Sequence, residues 1–216
     1  MSSYAEKPKE YFKHKRPEML AFLPSGTRHV LDIGCGEGAF GEEVKKHIQG
    51  EIWGIEYVES SAKVAAGIFD HVFSGDVAEL LAKVPDNHFD VIYCNDVLEH
   101  LTDPYTVLEV LKSKLTKDGV VISSIPNLRY HRALFPLLVK KDFQYEEYGV
   151  MDKTHFRFFT GKSIRRMYEE LGYEVMSHKG INTTKSVKPF FYNIPLLFTA
   201  MDIRHQQYAT VAKVKR

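Results

Sequence analysis

Short apolar runs alternate along the chain with segments in which apolar residues recur every three or four positions. The runs contain many β-branched residues, and the first, fourth and fifth are apolar almost throughout, as strands buried on both faces of a sheet are. The pattern predicts seven strands: His29–Ile33, Glu51–Ile55, His71–Ser74, Phe89–Cys94, Val120–Ser124, Tyr173–Lys179 and Tyr208–Lys215.

The segments between the strands predict helices. Phe40, Val44 and Ile48 follow one another at intervals of four, which places them on one face of a helix. A later helix begins after Asp103, a suitable N-cap, with Pro104 at its first position, where the missing N–H costs nothing. This alternation of strands and helices predicts an α/β fold in which a doubly wound, parallel sheet carries helices on both faces.

The alternation stops twice. Residues 125–159 hold prolines, arginines and many aromatics without a clear strand, and residues 185–207 form a second irregular, aromatic-rich connection. Between them, Thr160 is the predicted N-cap of a helix. A chain of 216 residues is too short for two ordinary domains, so we expect one domain over residues 1–216 with an insertion at 125–159.

Composition excludes several classes of protein. Lys+Arg 29 against Asp+Glu 28 gives a net charge of +1, so no overall field attracts nucleic acid. The apolar stretch Ile194–Met201 is far shorter than the roughly 20 residues of a membrane span. Cys35 and Cys94 cannot form a disulfide framework, and Met1–Phe12 lacks the apolar segment of a secretion signal, so we expect a cytoplasmic protein.

The strongest local signal is a glycine-rich loop in the sequence VLDIGCGEGAF. Gly34, Gly36 and Gly38 directly follow a buried strand and open a helix. Glycines there permit positive φ and let a ligand approach the backbone, and the start of the helix presents free N–H groups. The loop therefore predicts a nucleotide-type cofactor site.

The glycines alone do not choose the cofactor, because Gly34-x-Gly36-x-x-Ala39 also satisfies the dinucleotide fingerprint of nicotinamide-dependent oxidoreductases. The acidic residues of the loop do distinguish a dinucleotide from S-adenosylmethionine. A pyrophosphate at this turn would face Asp32 and Glu37, and such repulsion at ~4 Å costs several kcal/mol unless solvent screens it. S-adenosylmethionine carries an ammonium and a sulfonium and no phosphate, so the acidic loop favours it.

Two further acids suit the same cofactor. Glu56 lies eighteen residues after Gly38, close to the offset of ~20 residues expected for an acid that holds ribose hydroxyls. Asp76 is placed to accept the adenine amino proton, with the Val77 amide meeting a ring nitrogen, although an ordinary helix N-cap explains Asp76 equally well.

The motifs VLDIGCGEG, Glu56, GDV and YCNDVLEHLTDP together resemble class I S-adenosylmethionine-dependent methyltransferases. They are most similar to the bacterial branch that includes MetW-like proteins and the ubiquinone-biosynthesis O-methyltransferases. The resemblance extends from about Val30 to Val175. It implies a Rossmann-like, seven-stranded sheet whose last strand is antiparallel, which agrees with the hairpin-like end of the chain.

The resemblance also implies which residues hold the cofactor. Asp32 with the first glycines surrounds the methionine end, and Asn95 offers its carbonyl to the ammonium. Residues 1–27 correspond to a flap over the cofactor, with Arg16 near the methionine carboxylate, although a surface arginine is the simpler explanation. The full set of predicted cofactor contacts is Tyr11, Arg16, Asp32, Gly34, Cys35, Gly36, Gly38, Glu56, Tyr57, Asp76, Val77, Asn95 and Asp96.

Methyl transfer is an in-line displacement that needs a base only when the acceptor is a hydroxyl or a protonated amine. His155 is the preferred base because imidazole titrates near neutrality and its segment has no core periodicity, although a structural histidine stays open. His100 is the second candidate. Asp96-x-x-Glu99-His100 is similar to a metal-binding pattern of the ubiquinone branch, but this run supplies few oxygen ligands, so we predict no metal.

The insertion is expected to build the acceptor pocket. Arg129, Tyr130 and Arg157 are the predicted substrate contacts, since arginine forks suit the phosphate or carboxylate of an anionic, sugar-derived acceptor. A surface helix that covers the sheet edge explains the same stretch. The aromatic run at residues 189–192 favours core packing or a homodimer contact.

The sequence therefore predicts a methyltransferase that modifies a small molecule, at a hydroxyl of a sugar-derived or quinone-like compound. The alternative is a non-catalytic partner that binds S-adenosylmethionine and regulates another biosynthetic enzyme, because such a protein would share every cofactor motif.

Overall fold

The computed structural model describes residues 15–216, so the predicted contact of Tyr11 and most of the expected flap lie outside the described residues. The strands are β1 His29–Ile33, β2 Glu51–Glu56, β3 His71–Ser74, β4 Phe89–Asn95, β5 Leu115–Pro126, β6 Tyr173–Thr183 and β7 His205–Val214. The α-helices are α1 Pro17–Leu20, α2 Ala39–Lys45, α3 Glu59–Ala65, α4 Val77–Leu80, α5 Pro104–Lys114, α6 His131–Lys140, α7 Gly161–Glu170 and α8 Lys188–Asn193.

The seven strands form one sheet in the order β3-β2-β1-β4-β5-β7-β6. β1 pairs in parallel with both β2 and β4, and β7 is antiparallel to its neighbours β5 and β6. The predicted Rossmann-like sheet with an antiparallel last strand is thus confirmed. The strand order reverses direction at β1, so the carboxyl ends of β1 and β4 open a crevice where ligands bind in such folds.

All seven predicted strands exist, and five of them are longer or shifted. The largest difference is β5, which begins at Leu115 rather than Val120 because Leu115 pairs with Phe89 ahead of an irregularity in the ladder. Because Thr116–Asp118 is polar, the hydrophobicity pattern does not predict that the strand begins at Leu115. β5 also continues to Pro126, so the first residues of the expected insertion belong to the sheet.

Helices cover both faces of the sheet, as predicted. One core cluster joins β1, β4 and β5 to α5 and α7, and its members include Leu111, Ile164 and Met167. The other cluster packs α2 and α3 against the opposite face through residues such as Phe40 and Val44. Within the core, Tyr168 Oη donates a hydrogen bond to Ser123 Oγ at 2.8 Å.

Both predicted N-caps are confirmed. Asp103 Oδ1 accepts hydrogen bonds from the backbone N–H groups of Tyr105 and Thr106, each at 3.1 Å. Thr160 and Ser163 form a reciprocal capping box at the start of α7, in which each side chain accepts from the other's backbone N–H.

The two irregular segments contain short helices. Residues 125–159 include α6, and residues 185–207 include α8 followed by two 3₁₀ turns. No helix within residues 15–216 is long and apolar enough to cross a membrane. Cys35 and Cys94 are both buried free thiols.

The capping box generates a stability prediction. Thr160→Ala removes the side-chain acceptor for the Ser163 N–H and should lower the free energy of unfolding by about 1 kcal/mol in urea titrations. Thr160→Ser keeps the hydroxyl and serves as the matched control, with a loss well below that of alanine. An alanine variant as stable as the wild type would show that the box contributes nothing.

Candidate active site

The glycine-rich loop turns sharply at the end of β1. Gly34 has a φ of +72°, and its N–H donates to the carbonyl of Ile55 at the end of β2, at 2.8 Å. A Cβ at this position would lie 2.5 Å from Cγ2 of Val97. Glycine is therefore required twice, by the backbone conformation and by the close approach of the loop that follows β4.

Glu56, the last residue of β2, connects this loop to β2 by hydrogen bonds. Its Oε2 accepts the Gly36 N–H at 2.8 Å, and its Oε1 accepts the Val58 N–H at 2.9 Å. The side chain is buried, with 1% of its surface exposed. Burial raises the pKa of Glu56, while the backbone hydrogen bonds favour the ionised form and oppose the rise.

Asp32 lies one strand away, on β1, and is equally buried. Burial, and then the charge of Glu56, raise the pKa of Asp32 to about 8, and Arg16 opposes this shift. Two carboxylates buried at adjacent strand ends are unfavourable for each other and favourable for a cation between them. A cation such as the ammonium or sulfonium of S-adenosylmethionine would favour the ionised form of Asp32, whereas a diphosphate would oppose it.

Asp96 follows β4 in a left-handed conformation, with a φ of +52°. Its Oδ1 accepts from Ser124 Oγ and from Gln207 Nε2, each at 2.7 Å, and its Oδ2 forms an ion pair with Arg16. Burial alone would raise the pKa of Asp96, but Arg16 and these hydrogen bonds hold it below its usual value. Arg16 is thus a partly buried member of the site, and its predicted contact with the methionine carboxylate remains a prediction.

Asn95 provides the clearest evidence that a polar ligand fits here. Both its Oδ1 and Nδ2 are buried, and neither forms a hydrogen bond within residues 15–216. Buried amides in native proteins normally have partners, so these atoms call for a polar ligand in the crevice. Together with the carboxylates of Asp32 and Glu56, they fit the donor and acceptor groups of S-adenosylmethionine.

The remaining predicted cofactor residues divide into two groups. Asp76 caps α4, since its Oδ1 accepts the Ala78 N–H at 2.8 Å, and Val77 is buried beside it. The capping role of Asp76 is thus present, and the adenine contact stays a prediction. The Cys35 side chain packs into the core behind the loop, whereas Tyr57 is 43% exposed.

A cavity of about 410 Å³ adjoins Asp96 and is the candidate acceptor pocket. It is lined by both predicted catalytic histidines and by residues from the start of the described chain, the insertion and β7. The lining residues are Lys15, Arg16, Pro17, Glu18, Asp96, Glu99, His100, Pro126, Tyr148, Gly149, Val150, Asp152, His155, Asn182, Gln206 and Gln207.

The two histidines lie in edge-to-face contact, with ring centroids 4.6 Å apart. His155 is 7% exposed, and its Nδ1 lies 3.2 Å from the Val150 carbonyl oxygen. Because a carbonyl only accepts hydrogen bonds, Nδ1 carries the proton and Nε2 is left as an acceptor. Burial, and then the charge of His100, lower the pKa of His155 to about 4.

A tight turn holds His155 in place. Asp152 Oδ1 accepts from the N–H and the hydroxyl of Thr154, at 2.8 and 2.7 Å. The carbonyl of Glu99 accepts the N–H groups of Phe156 and Arg157, so the turn is tied directly to the loop after β4. The Thr154 carbonyl in turn lies 3.1 Å from His100 Nδ1.

The same region contains a potential metal-ligand group that differs from the sequence pattern. Glu99, His100 and His155 each offer a ligand atom, and these atoms lie within 4.8 Å of one another. Asp96 does not belong to the group because Arg16 and its other partners occupy its oxygens. Burial, and then the charge of Asp96, raise the pKa of Glu99 well above its usual value. The absence of a metal remains a prediction.

The three predicted substrate contacts make other interactions within the described residues, and their role in acceptor binding stays a prediction. The Arg129 guanidinium forms a two-point ion pair with Asp202, with Nη2 to Oδ1 at 3.1 Å. Tyr130 is buried in a small apolar cluster, and Arg157 donates to the Thr102 carbonyl at 2.7 Å. None of the three is among the residues that line the described cavity.

Gln207 is a residue of the candidate site that the sequence analysis missed. It reaches Asp96 across 111 positions of sequence because β7 pairs antiparallel with β5, which places Gln207 opposite Pro126. No local motif marks it, since a single glutamine in a strand carries no signal of its own. Only the order of the last two strands in the sheet reveals the contact.

Comparison with known proteins identifies the family of this chain. The methyltransferase-domain family matches residues 4–178. A ubiquinone biosynthesis O-methyltransferase of Neisseria meningitidis is 25% identical over 162 residues, which cover 71% of this chain and 67% of the relative.

Solved structures share the fold. A methyltransferase from Thermotoga maritima, described as S-adenosylmethionine-dependent and a possible histamine N-methyltransferase, aligns over 99% of both chains with 18% identity and a TM-score of 0.69. An S-adenosylmethionine-dependent methyltransferase from Archaeoglobus fulgidus aligns over 98% of this chain and 96% of its own, with 23% identity and a TM-score of 0.65.

The family match extends over most of the chain, and the chain belongs to the methyltransferase-domain family. The predicted class, a Rossmann-like class I methyltransferase that uses S-adenosylmethionine, is therefore confirmed. The match favours an enzyme over the non-catalytic partner and over a nicotinamide-dependent oxidoreductase.

The raised pKa of Asp32 predicts a pH-dependent cost in stability. Because the pKa in the folded chain, about 8, lies above the ordinary value of 3.8, the stabilising contribution of the protonated form is complete below pH 4 and is lost as the pH rises through 8. Asp32→Asn abolishes this titration. Relative to the wild type, the free energy of unfolding of the variant should increase by about 1 kcal/mol or more as the pH rises from 5 to 8, as measured by urea titration.

The matched control is Asp118→Asn, an exposed carboxylate whose pKa the hydrogen bond from Lys213 keeps below its usual value. Its difference from the wild type should not change between pH 5 and 8. If the difference in free energy of unfolding between Asp32→Asn and the wild type stays constant from pH 5 to 8, the predicted cost of burying the Asp32 carboxylate is wrong.

Proposed function

We propose that this enzyme transfers a methyl group from S-adenosylmethionine to a hydroxyl of a small acceptor, a sugar-derived or quinone-like compound, bound in the cavity beside Asp96. The observation that carries the proposal is His155, a buried imidazole that is neutral at physiological pH and lines that cavity next to the cofactor crevice. A hydroxyl acceptor needs such a base, whereas many other methyl acceptors do not.

The crevice residues would hold the cofactor as follows. Asp32 would attract the cationic methionine end, Glu56 would accept from the ribose hydroxyls, and the atoms of Asn95 would gain the partners they lack. When bound, S-adenosylmethionine supplies a methyl group already activated by its sulfonium. The protein therefore has mainly to align the acceptor oxygen and exclude water.

His155 would remove the acceptor proton. The Val150 carbonyl fixes the tautomer, so Nε2 would take the proton from the hydroxyl. The acceptor oxygen would gain the methyl group as its bond to sulfur breaks, and S-adenosylhomocysteine would leave. The nearby Asp152 carboxylate favours the imidazolium that results. The proton then leaves His155 for solvent, and the ring returns to its neutral form.

The cavity itself supports a polar, hydroxyl-bearing acceptor. Asn182, Gln206 and Gln207 bring amide groups to its lining, and Arg16, paired with Asp96, also lines it. The names of the relatives point to different atoms, since one is an O-methyltransferase and one is described as a possible N-methyltransferase. A base such as His155 suits a hydroxyl and also a protonated amine, so the O-methyltransferase relative is what favours oxygen here. The two buried free thiols support a reducing, cytoplasmic compartment.

The acceptor class is tested by incubating the purified enzyme with S-adenosylmethionine and three probes: a catechol, a nucleotide-linked hexuronic sugar and histamine. We expect S-adenosylhomocysteine to form with a catechol or the sugar and the product to be an O-methyl ether by mass spectrometry. Turnover with histamine alone would contradict the proposal of a hydroxyl acceptor.

The role of His155 is tested by His155→Gln. We expect kcat to fall by on the order of 10²- to 10⁴-fold while the Kd for S-adenosylmethionine stays within about twofold, because the residue lies on the acceptor side. His88→Gln, directly before β4 at the end of the strand opposite the site, is the control and should retain full activity.

The pH profile tests the protonation state of His155, and the activity of the variant tests its role as the base. Because the pKa of His155 is about 4, kcat/KM of the wild type should show no loss from protonation of this residue between pH 8 and 6. A nearly normal kcat for the His155→Gln variant would show that His155 is not the base.

A further inference from the structure

An exposed apolar surface lies apart from the active site. We name it the apolar surface and define it as residues 132–141 and 185–198, that is, most of α6 together with α8 and the turns around it. Leu197 is 83% exposed, and Val139 is 71% exposed. The large apolar side chains that this surface exposes are Leu138, Val139, Val187, Phe190, Phe191, Ile194, Leu196, Leu197 and Phe198.

The two segments form one surface. Phe135 of α6 stacks on Tyr192 of α8, with ring centroids 3.4 Å apart. α6 also contacts the 3₁₀ turn Met201–Arg204 that follows the second segment, and the Arg204 guanidinium lies 5.5 Å from the ring centroid of Phe190. Monomeric proteins rarely expose apolar side chains in such a contiguous group unless it binds something.

Hydrogen bonds to the backbone of residues 189–200 keep the apolar side chains of this segment exposed. Asn193 is fully buried, donates to the carbonyls of Pro189 and Ala200, and accepts the Ala200 N–H at 2.9 Å. These bonds close the segment on itself and leave its apolar side chains outside. Leu197 and Phe198 both have left-handed backbones, with φ of +48° and +59°, a conformation that is unfavourable for such residues.

Charge indicates what covers this surface. Neither residues 128–141 nor residues 184–201 contain a single aspartate or glutamate. Five exposed basic side chains accompany the apolar ones: Arg132, Lys140, Lys141, Lys185 and Lys188. Apolar side chains bordered by lysine and arginine without acids are typical of elements that lie in the interface of an anionic bilayer.

A second copy of the chain fits less well. A twofold contact would bring the same five basic side chains of each copy together with no acid from either segment to offset them. A bilayer that contains anionic phospholipids instead offers both the opposite charge and an apolar layer.

We propose that the apolar surface docks this enzyme peripherally on anionic phospholipid membranes. The aromatic and aliphatic side chains of residues 187–198 enter the interface, and the basic residues contact lipid phosphates. This docking does not depend on the identity of the methyl acceptor.

The test is flotation with vesicles of phosphatidylcholine alone or mixed with phosphatidylglycerol. We expect the wild type to float with the mixed vesicles at least tenfold more than with the neutral ones, and to be released by high salt. The double variant Leu197→Asn with Phe198→Asn should lose most binding, because asparagine tolerates the left-handed backbone and leaves the fold intact. Circular dichroism and S-adenosylmethionine binding verify that fold.

The matched control exchanges two exposed apolar residues elsewhere, Val64→Asn with Met176→Asn, and should float like the wild type. Wild-type protein that does not float with the mixed vesicles overturns the proposal, as does a control that loses as much binding as the surface variant. Light scattering supplies the other contrary outcome, a wild-type dimer that Leu197→Asn with Phe198→Asn converts to a monomer without any vesicle binding.

Discussion

The site depends on two carboxylates, Asp32 and Glu56, buried at the carboxyl ends of adjacent strands. Their burial raises the pKa of each, so the fold carries an electrostatic cost at this point. The glycine loop offsets part of this cost because the Gly36 N–H donates a hydrogen bond to Glu56. The positive φ of Gly34 lets the chain turn so that Gly36 reaches that carboxylate. In the proposed site, a cationic cofactor would relieve the remaining repulsion and so link this electrostatic cost to function.

Much of the cofactor side could be predicted from the sequence because its signals are local. The strand VLDI, the three glycines, and the acid at position 56 lie on consecutive elements, and parallel pairing of β1 with β2 brings them together. The N-caps Asp103 and Thr160 were equally predictable, since each hydrogen bond reaches only two or three residues along the chain.

The acceptor side could not be predicted in the same way, because its contacts join distant positions. Arg129 has the sequence environment of an anion-binding residue, yet Asp202 neutralises it after a separation of 73 residues. Gln207 reaches Asp96 only because β7 lies between β5 and β6. The left-handed backbones of Asp96 and Leu197 are likewise set by surrounding structure, and both occur where a ligand or a surface is proposed.

The preference of the crevice for a cation is tested most directly by calorimetric titration of the wild-type protein, at pH 7.5, with S-adenosylmethionine and separately with NAD⁺. Buried carboxylates at the turn predict saturable, one-to-one binding of S-adenosylmethionine and no detectable heat from the dinucleotide. Tight binding of NAD⁺ with no response to S-adenosylmethionine would contradict the electrostatic account of this site.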